Sequence, residues 1–282
     1  MFSDVLLTVD YDRTLTAPDS TIPERNLEAI RYFMKNGGTF TVNTGRSIPM
    51  IRAFRDQVPV NAPLLLYNGS GAYDLTKENM LFCHEIDADP WELFRYCREN
   101  FPELTFEVQG LDAHYRFTEN PMWDALSDNN HCARAFAEPG HVFKPFLKFS
   151  LYGEIRSNQI SHMFEGSPQE LARMTQAENQ LRQQFGDRME VFRAGARIID
   201  VHAKGVSKMR SAQELKDALN KKILVCVGDG ENDVSMLQGA DYAFCPKDAV
   251  VADRFPNVCS CAEGAVADVI YREIPKILSE KA

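Results

Sequence analysis

The sequence predicts an α/β fold, a doubly wound and mostly parallel sheet into which a separate α+β domain is inserted. Three observations point there. Short β-branched apolar runs alternate with amphipathic helical stretches at both ends of the chain; strand pairs with helices between them replace that pattern from about His84 to Arg197; and the first rhythm then resumes. Strands that alternate with helices favour right-handed parallel βαβ units. The core is therefore expected over residues 1–83 and 198–282, and the inserted domain over 84–197.

Taken in order, Val5 to Val9 reads as a strand buried on both faces. A helix is expected from Glu24 to Asn36, opened by the capping box Thr21-Ile-Pro-Glu24, striped by Leu27, Ile30 and Met34, and stopped by Gly37-Gly38. Thr39 to Asn43 is the next strand, Pro49 to Gln57 a second helix, and Leu64 to Tyr67 a third buried strand. In the middle, strands fit Leu104 to Val108, Ala113 to Phe117, Phe146 to Leu151 and Met189 to Phe192. Helices fit Pro90 to Asn100 and Pro168 to Phe185, the latter opened by a capping box at Ser167 and Glu170. After that come a helix from Ser207 to Asn220, the strand Ile223 to Val227, a short helix around Asp233 to Leu237, the strand Tyr242 to Phe244, and a closing helix from Ala265 to Leu278.

Composition narrows the function. The chain has 282 residues, enough for one large domain or two ordinary ones. Lys plus Arg total 31 against 40 Asp plus Glu, a net charge of −9, which disfavours a partner bound through phosphate counterion release. Nucleic acid is not expected. Seven cysteines, an odd number with no Cys-x-x-Cys, suggest neither a disulfide framework nor a zinc ribbon. The first residues lack a basic stretch, and Asp10 and Asp12 interrupt their apolar run, so a secretory leader is not expected. No segment reaches the roughly 18 apolar residues that span a bilayer, and a cytoplasmic protein without membrane partners is the expectation.

Ligands of open parallel sheets bind beyond the carboxyl ends of the strands. At those ends stand Asp10-Tyr-Asp12-Arg-Thr14, Thr44-Gly45-Arg46, Asn68-Gly69 and Gly228-Asp229-Gly-Glu-Asn232-Asp233, with Lys208 in the first turn of a helix. Asn68-Gly69 is also a strong type I′ turn signal. A calcium loop counted from Asp229 fails, with Val234 where Gly is needed and Ala240 where Glu is needed. A dinucleotide fingerprint fails at Asp233, where its third Gly should stand. If Asp10, Asp12, Asp229 and Asp233 converge, unit charges about 5 Å apart repel by roughly 3 kcal/mol per pair at an effective dielectric of 20. A divalent cation removes that cost. An all-oxygen donor set selects a hard ion, and a site left partly open for water and phosphate favours Mg²⁺.

The order DYDRT, NTGR, Lys208 in GVSK, then GDGEND resembles the four ordered motifs of the haloacid dehalogenase (HAD) superfamily. IPERNLEAI, the YNG after the third strand and the insertion between the second and third motifs resemble its Cof-type members, which carry a C2-type (IIB) cap. The resemblance implies a Rossmann-like core and a Mg²⁺-dependent phosphomonoester hydrolase of small phosphorylated metabolites, such as sugar phosphates, acting as a monomer or homodimer. It also implies roles: Asp10 as nucleophile, and Asp12 as general acid and base. Asp10, Asp12, Asp229 and Asp233 would surround the metal. Thr44, Gly45, Arg46, Asn68, Gly69, Lys208 and Asn232 would bind phosphate or substrate. A phosphomutase of the same fold and a noncatalytic metabolite sensor are the alternatives. One departure is Arg13, where the family usually has Gly, a residue suited to unusual backbone angles.

Overall fold

The run Val5–Val9 forms β1, a wholly buried strand, in the computed structural model, which describes residues 1–52, 55–129 and 132–280. A single turn, Tyr11–Leu15, leads from its end toward α1 (Glu24–Lys35) and β2 (Thr39–Val42), which lies parallel to β1 with Val42 beside Val9. α2 (Ile48–Arg52) follows; of the helix expected over 49–57, Ala53 and Phe54 lie outside the described residues. β3 (Leu64–Leu66), β4 (Gly71–Asp74) and β5 (Asn79–Cys83) form a three-stranded sheet in which β3 and β4 are antiparallel.

The middle of the chain builds α3 (Pro90–Asn100), β6 (Thr105–Gln109), β7 (His114–Arg116), α4 (Pro121–Asn129), β8 (Arg134–Phe136), β9 (Phe149–Tyr152), α5 (Pro168–Phe185), β10 (Met189–Gly195) and β11 (Ile198–Ala203). Its six strands form one sheet in the order β10-β11-β9-β6-β7-β8, with only β7 and β8 parallel among the pairs. The chain then returns through α6 (Lys208–Ala218), β12 (Ile223–Val227), α7 (Val234–Gly239), β13 (Tyr242–Pro246), β14 (Asn257–Val258), α8 (Ala265–Asp268) and α9 (Ile274–Glu280). β14-β13-β12-β1-β2 is the parallel sheet, so the fold is α/β with a separate, largely antiparallel sheet inserted.

Two units result. One comprises Met1–Gly45, Asp56–Phe82 and Ser207–Ala282; the other comprises Arg46–Arg55 and Cys83–Val206. Leu6, Leu65, Leu215, Leu224 and Met236 pack in the core of the first, and Phe106, Phe149, Leu181, Ile199 and Val201 in that of the second. Among the described residues no helix is long and apolar enough to cross a membrane.

Several elements differ from expectation for identifiable reasons. Ile198–Ala203 was expected in the core, yet it pairs with β10 and β9, so the return to the first unit falls at Ser207. Its alternation decides this: Ile199, Val201 and Ala203 enter the second core, while Asp200 and His202 point to the opposite face. Leu64–Leu66 meets the parallel sheet through an isolated bridge from Asn43 to Leu65, and the chain then turns through Tyr67–Gly69 into β4, as the Asn68-Gly69 signal allows. The capping box at Thr21 does not form. Thr21 turns its hydroxyl to Asp19 Oδ1 at 2.6 Å, the N-cap is Pro23, and the buried stripe of α1 is Asn26, Ala29, Ile30 and Phe33, with Leu27 and Met34 half-buried. The closing helix contains a π turn, Val269–Glu273, just before Pro275, a residue with no N–H to continue regular α bonding. The box at Ser167 and Glu170 does form.

Candidate active site

Parallel register gathers the site. Val9 is paired with Val42 on one side and Val227 on the other, so the residues that follow each strand leave at one edge. The backbone bonds continue a step further: Asp10 N donates to Val227 O at 2.9 Å, and Asn43 N to Val9 O at 2.8 Å. Asp10, Thr44 and Asp229 are thereby fixed by sheet geometry rather than by loops.

Three carboxylates meet there. Asp10, Asp229 and Asp233 each offer an oxygen, all within 4.8 Å of one another, and all three residues are buried. The Lys208 ammonium, 2% exposed, sits 2.5 Å from Asp10 Oδ1 and 2.6 Å from Asp233 Oδ1. Asp233 Oδ2 accepts the N–H groups of Asp229 at 3.1 Å and Gly230 at 3.0 Å. Thr14 Oγ1 donates to Asp229 Oδ1 at 3.2 Å, and Arg13 Nε lies 4.0 Å from Asp229 Oδ2.

Three acids face one buried ammonium and one exposed guanidinium, which leaves an excess of negative charge. At 4.8 Å, two carboxylates repel by about 3 kcal/mol at an effective dielectric of 20. Two of the carboxyls respond with a raised affinity for protons. Burial pushes Asp10 well above the usual range against the pull of Lys208, and Asp233, Asp229 and Asp12 push it further. Burial, then Asp233, raises Asp229 to about 6. Lys208 is held above its ordinary value because Asp10 and Asp233 outweigh its burial. A hard divalent cation suits this all-carboxylate donor set.

The other expected residues distribute unevenly. Asp12 is half-buried in the same turn as Asp10 but outside the three-carboxylate cluster. Thr44 is buried, donating its N–H to Leu65 O at 2.9 Å and accepting from Asn68 N at 3.0 Å. Gly45 gives Asn68 room: a Cβ there would stand 2.7 Å from Asn68 Oδ1. Gly69, at φ 97°, lets the turn press on the start of α6, since a Cβ would fall 2.3 Å from Ser207 O. Asn232 is exposed. Arg46 is half-buried and opens the segment that belongs to the second unit.

Two polar contacts at the site were not foreseen. Thr14 bonds Asp229 across 215 positions of sequence, and Asn43 bonds the main chain of Lys208 across 165. Beforehand Thr14 was marked only as the last residue of the Asp10 motif, and Asn43 only as the neighbour of Thr44. Arg13 adopts φ 58°, the left-handed region that the usual glycine would occupy without strain.

The model of the family described as haloacid dehalogenase-like hydrolase matches residues 7–252. A hydrolase of Schizosaccharomyces pombe with no characterised activity is 23% identical over 95% of this chain and 90% of its own. A Haemophilus influenzae protein named as a candidate phosphatase is 21% identical over 85% of this chain and 84% of its own. Among solved structures, a haloacid dehalogenase-like hydrolase from Bacteroides thetaiotaomicron superposes with a TM-score of 0.79 at 18% identity, covering 95% of this chain and 98% of that one.

Proposed function

The chain belongs to the haloacid dehalogenase-like hydrolase family, and on that premise we propose that it is a Mg²⁺-dependent phosphatase of small phosphorylated metabolites. One observation carries the reading: Asp10, Asp229 and Asp233 each bring an oxygen within 4.8 Å of the others, while the buried Lys208 ammonium pairs with only Asp10 and Asp233 and the exposed Arg13 lies 4.0 Å from Asp229. Asp10 attacks the phosphorus of a phosphomonoester in line, and the bond to the leaving oxygen breaks as an aspartyl phosphate forms. Asp12 gives its proton to the departing alkoxide, then takes one from the water that cleaves the acyl phosphate. Lys208 and Thr44 hold phosphoryl oxygens, with Asn232 as a further donor. Asp10, Asp229, Asp233 and the main-chain oxygen of Asp12 would hold Mg²⁺, which supplies charge stabilisation at the phosphoryl group. The inserted unit is read as a C2-type cap.

The test is phosphate release from p-nitrophenyl phosphate and a panel of phosphorylated metabolites, with Mg²⁺ and then with a chelator. Activity should require the metal, and Asp10→Asn should lose on the order of 10³-fold or more in kcat with its circular dichroism unchanged. Undiminished turnover in Asp10→Asn would overturn the assignment. An isomerised ester in place of free phosphate would identify a mutase.

A further inference from the structure

Asn43 is fully buried at the end of β2, one residue before Thr44. Its Nδ2 donates to the main-chain oxygen of Lys208 at 2.8 Å and lies 3.5 Å from Sδ of Met236 in α7. Its Oδ1, also buried, has no hydrogen-bond partner. A buried acceptor left unpaired costs about 1–3 kcal/mol. Turning the amide over brings no relief, because Oδ1 would then face the Lys208 oxygen. The end of Asn43 that is used is therefore the end that grips the catalytic helix, and a small apolar residue would avoid the penalty only by letting go.

Lys208 is the first residue of α6, whose N-cap Ser207 accepts from Arg210 N at 3.1 Å. Ser211 Oγ also donates to the Lys208 oxygen, at 3.1 Å. The lysine stem is long and flexible, so the position of its ammonium depends on where its main chain is fixed and on the two carboxylates at its tip. A phosphoryl group or cation would compete for those carboxylates, whereas the main-chain anchor is a separate contact. We propose that Asn43 is a positioning residue, which ties the end of β2 to the first turn of α6 and so holds the Lys208 ammonium in register with Asp10 throughout turnover. The phosphatase reading enters only in what Lys208 does, not in where Asn43 holds it.

The experiment compares wild type, Asn43→Ala and the isosteric Asn43→Asp, which exchanges the donor for an anion facing the Lys208 oxygen. Asn43→Ala should lower kcat about ten- to a hundredfold with KM within about threefold, and Asn43→Asp should do worse. In a Lys208→Ala background, Asn43→Ala should cost little further kcat, because the two act as one unit. Crystal structures should show the Lys208 ammonium displaced from Asp10 by more than about 0.5 Å in Asn43→Ala. A lower melting temperature with kcat and the ammonium position unchanged would overturn the proposal, as would full additivity with Lys208→Ala. Should Asn43→Ala fail to fold, Asn43→Ser takes the same measurements. An inert wild type would count against the phosphatase reading, while the crystallographic displacement would still decide the positioning role.

Discussion

Each unit buries acidic and basic side chains, and the two differ in charge balance. In the second, partners come one to one: His114 Nδ1 lies 3.2 Å from Glu107 Oε1, and Lys148 Nζ lies 2.8 Å from Asp200 Oδ2. Neutral donors add to the pairs, with Tyr152 at 2.6 Å and Gln109 at 2.9 Å on Glu107 Oε1, and Ser150 at 2.7 Å on Asp200. In the first, three carboxylates meet one buried ammonium, which pairs with Asp10 and Asp233, and an exposed guanidinium 4.0 Å from Asp229. Equal burial then gives opposite outcomes. Burial presses Glu107 upward, but His114 and the hydrogen bonds hold it below the usual range, whereas Asp10 and Asp229 end above theirs. A cluster of paired charges needs no further ion; one with an excess of carboxylates is balanced by a cation that binds.

The sharpest way to break that comparison is Lys208→Ala. Removing the sole ammonium from buried carboxylates should cost about 3–5 kcal/mol of stability, and kcat/KM should fall on the order of 10². Because a cation can take the place of the lost charge, Mg²⁺ should restore part of the stability. Thermal denaturation with and without MgCl₂ reads this directly. An equal deficit in both conditions would mean that the first cluster closes on itself as the second does.

His114→Gln tests the balanced side. Burial lowers the affinity of His114 for its proton, but the Glu107 carboxylate overrides it and the group is pushed up to about 10. When protonated, the ring serves Glu107 from Nδ1 and Ser47 Oγ, 2.7 Å away, from Nε2. The sign follows from linkage: a histidine raised above 6.5 contributes its stability in full below that value and loses it as the pH climbs through about 10. His114→Gln should therefore be less stable than wild type by up to about 3 kcal/mol near pH 6, with the gap closing toward pH 10, and its response to Mg²⁺ should match wild type. A gap independent of pH would show that the ring is neutral in the fold.

How much of this was legible in sequence follows from the range of the interactions. The strand ends were readable because β1, β2 and β12 are short apolar runs that stop at polar residues, so Asp10, Thr44 and Asp229 announce themselves locally. Thr14 and Asn43 did not, because a contact across 215 or 165 positions leaves no local trace. β11 misled for a similar reason: Asp200 and His202 look like surface residues in sequence, but both are buried, and Lys148, the partner that neutralises Asp200, lies on another strand. At Thr21 a nearer acceptor, Asp19, took the hydroxyl that a helix cap needed.

Backbone strain separates the units as charge does. Among the described residues, every non-glycine with positive φ, namely Arg13, Ser20, Tyr67, Asn68, Glu78 and Asn220, lies in the first unit, and Arg13 borders the carboxylate cluster. Arg13 is the one whose strain can be isolated. Arg13→Ala and Arg13→Gly both remove the guanidinium from beside Asp229, but only glycine accepts φ 58° freely. Arg13→Gly should therefore be the more stable of the two by about 1 kcal/mol in chemical denaturation, since the left-handed cost in the folded chain exceeds what glycine adds to the entropy of the unfolded one. The ion pair with Asp229 is absent from both variants and so cancels from the comparison. Equal stabilities would mean that the turn relaxes out of the left-handed region once the arginine is gone, and that contact with Asp229, rather than the chain path from Asp10 to Thr14, sets its shape.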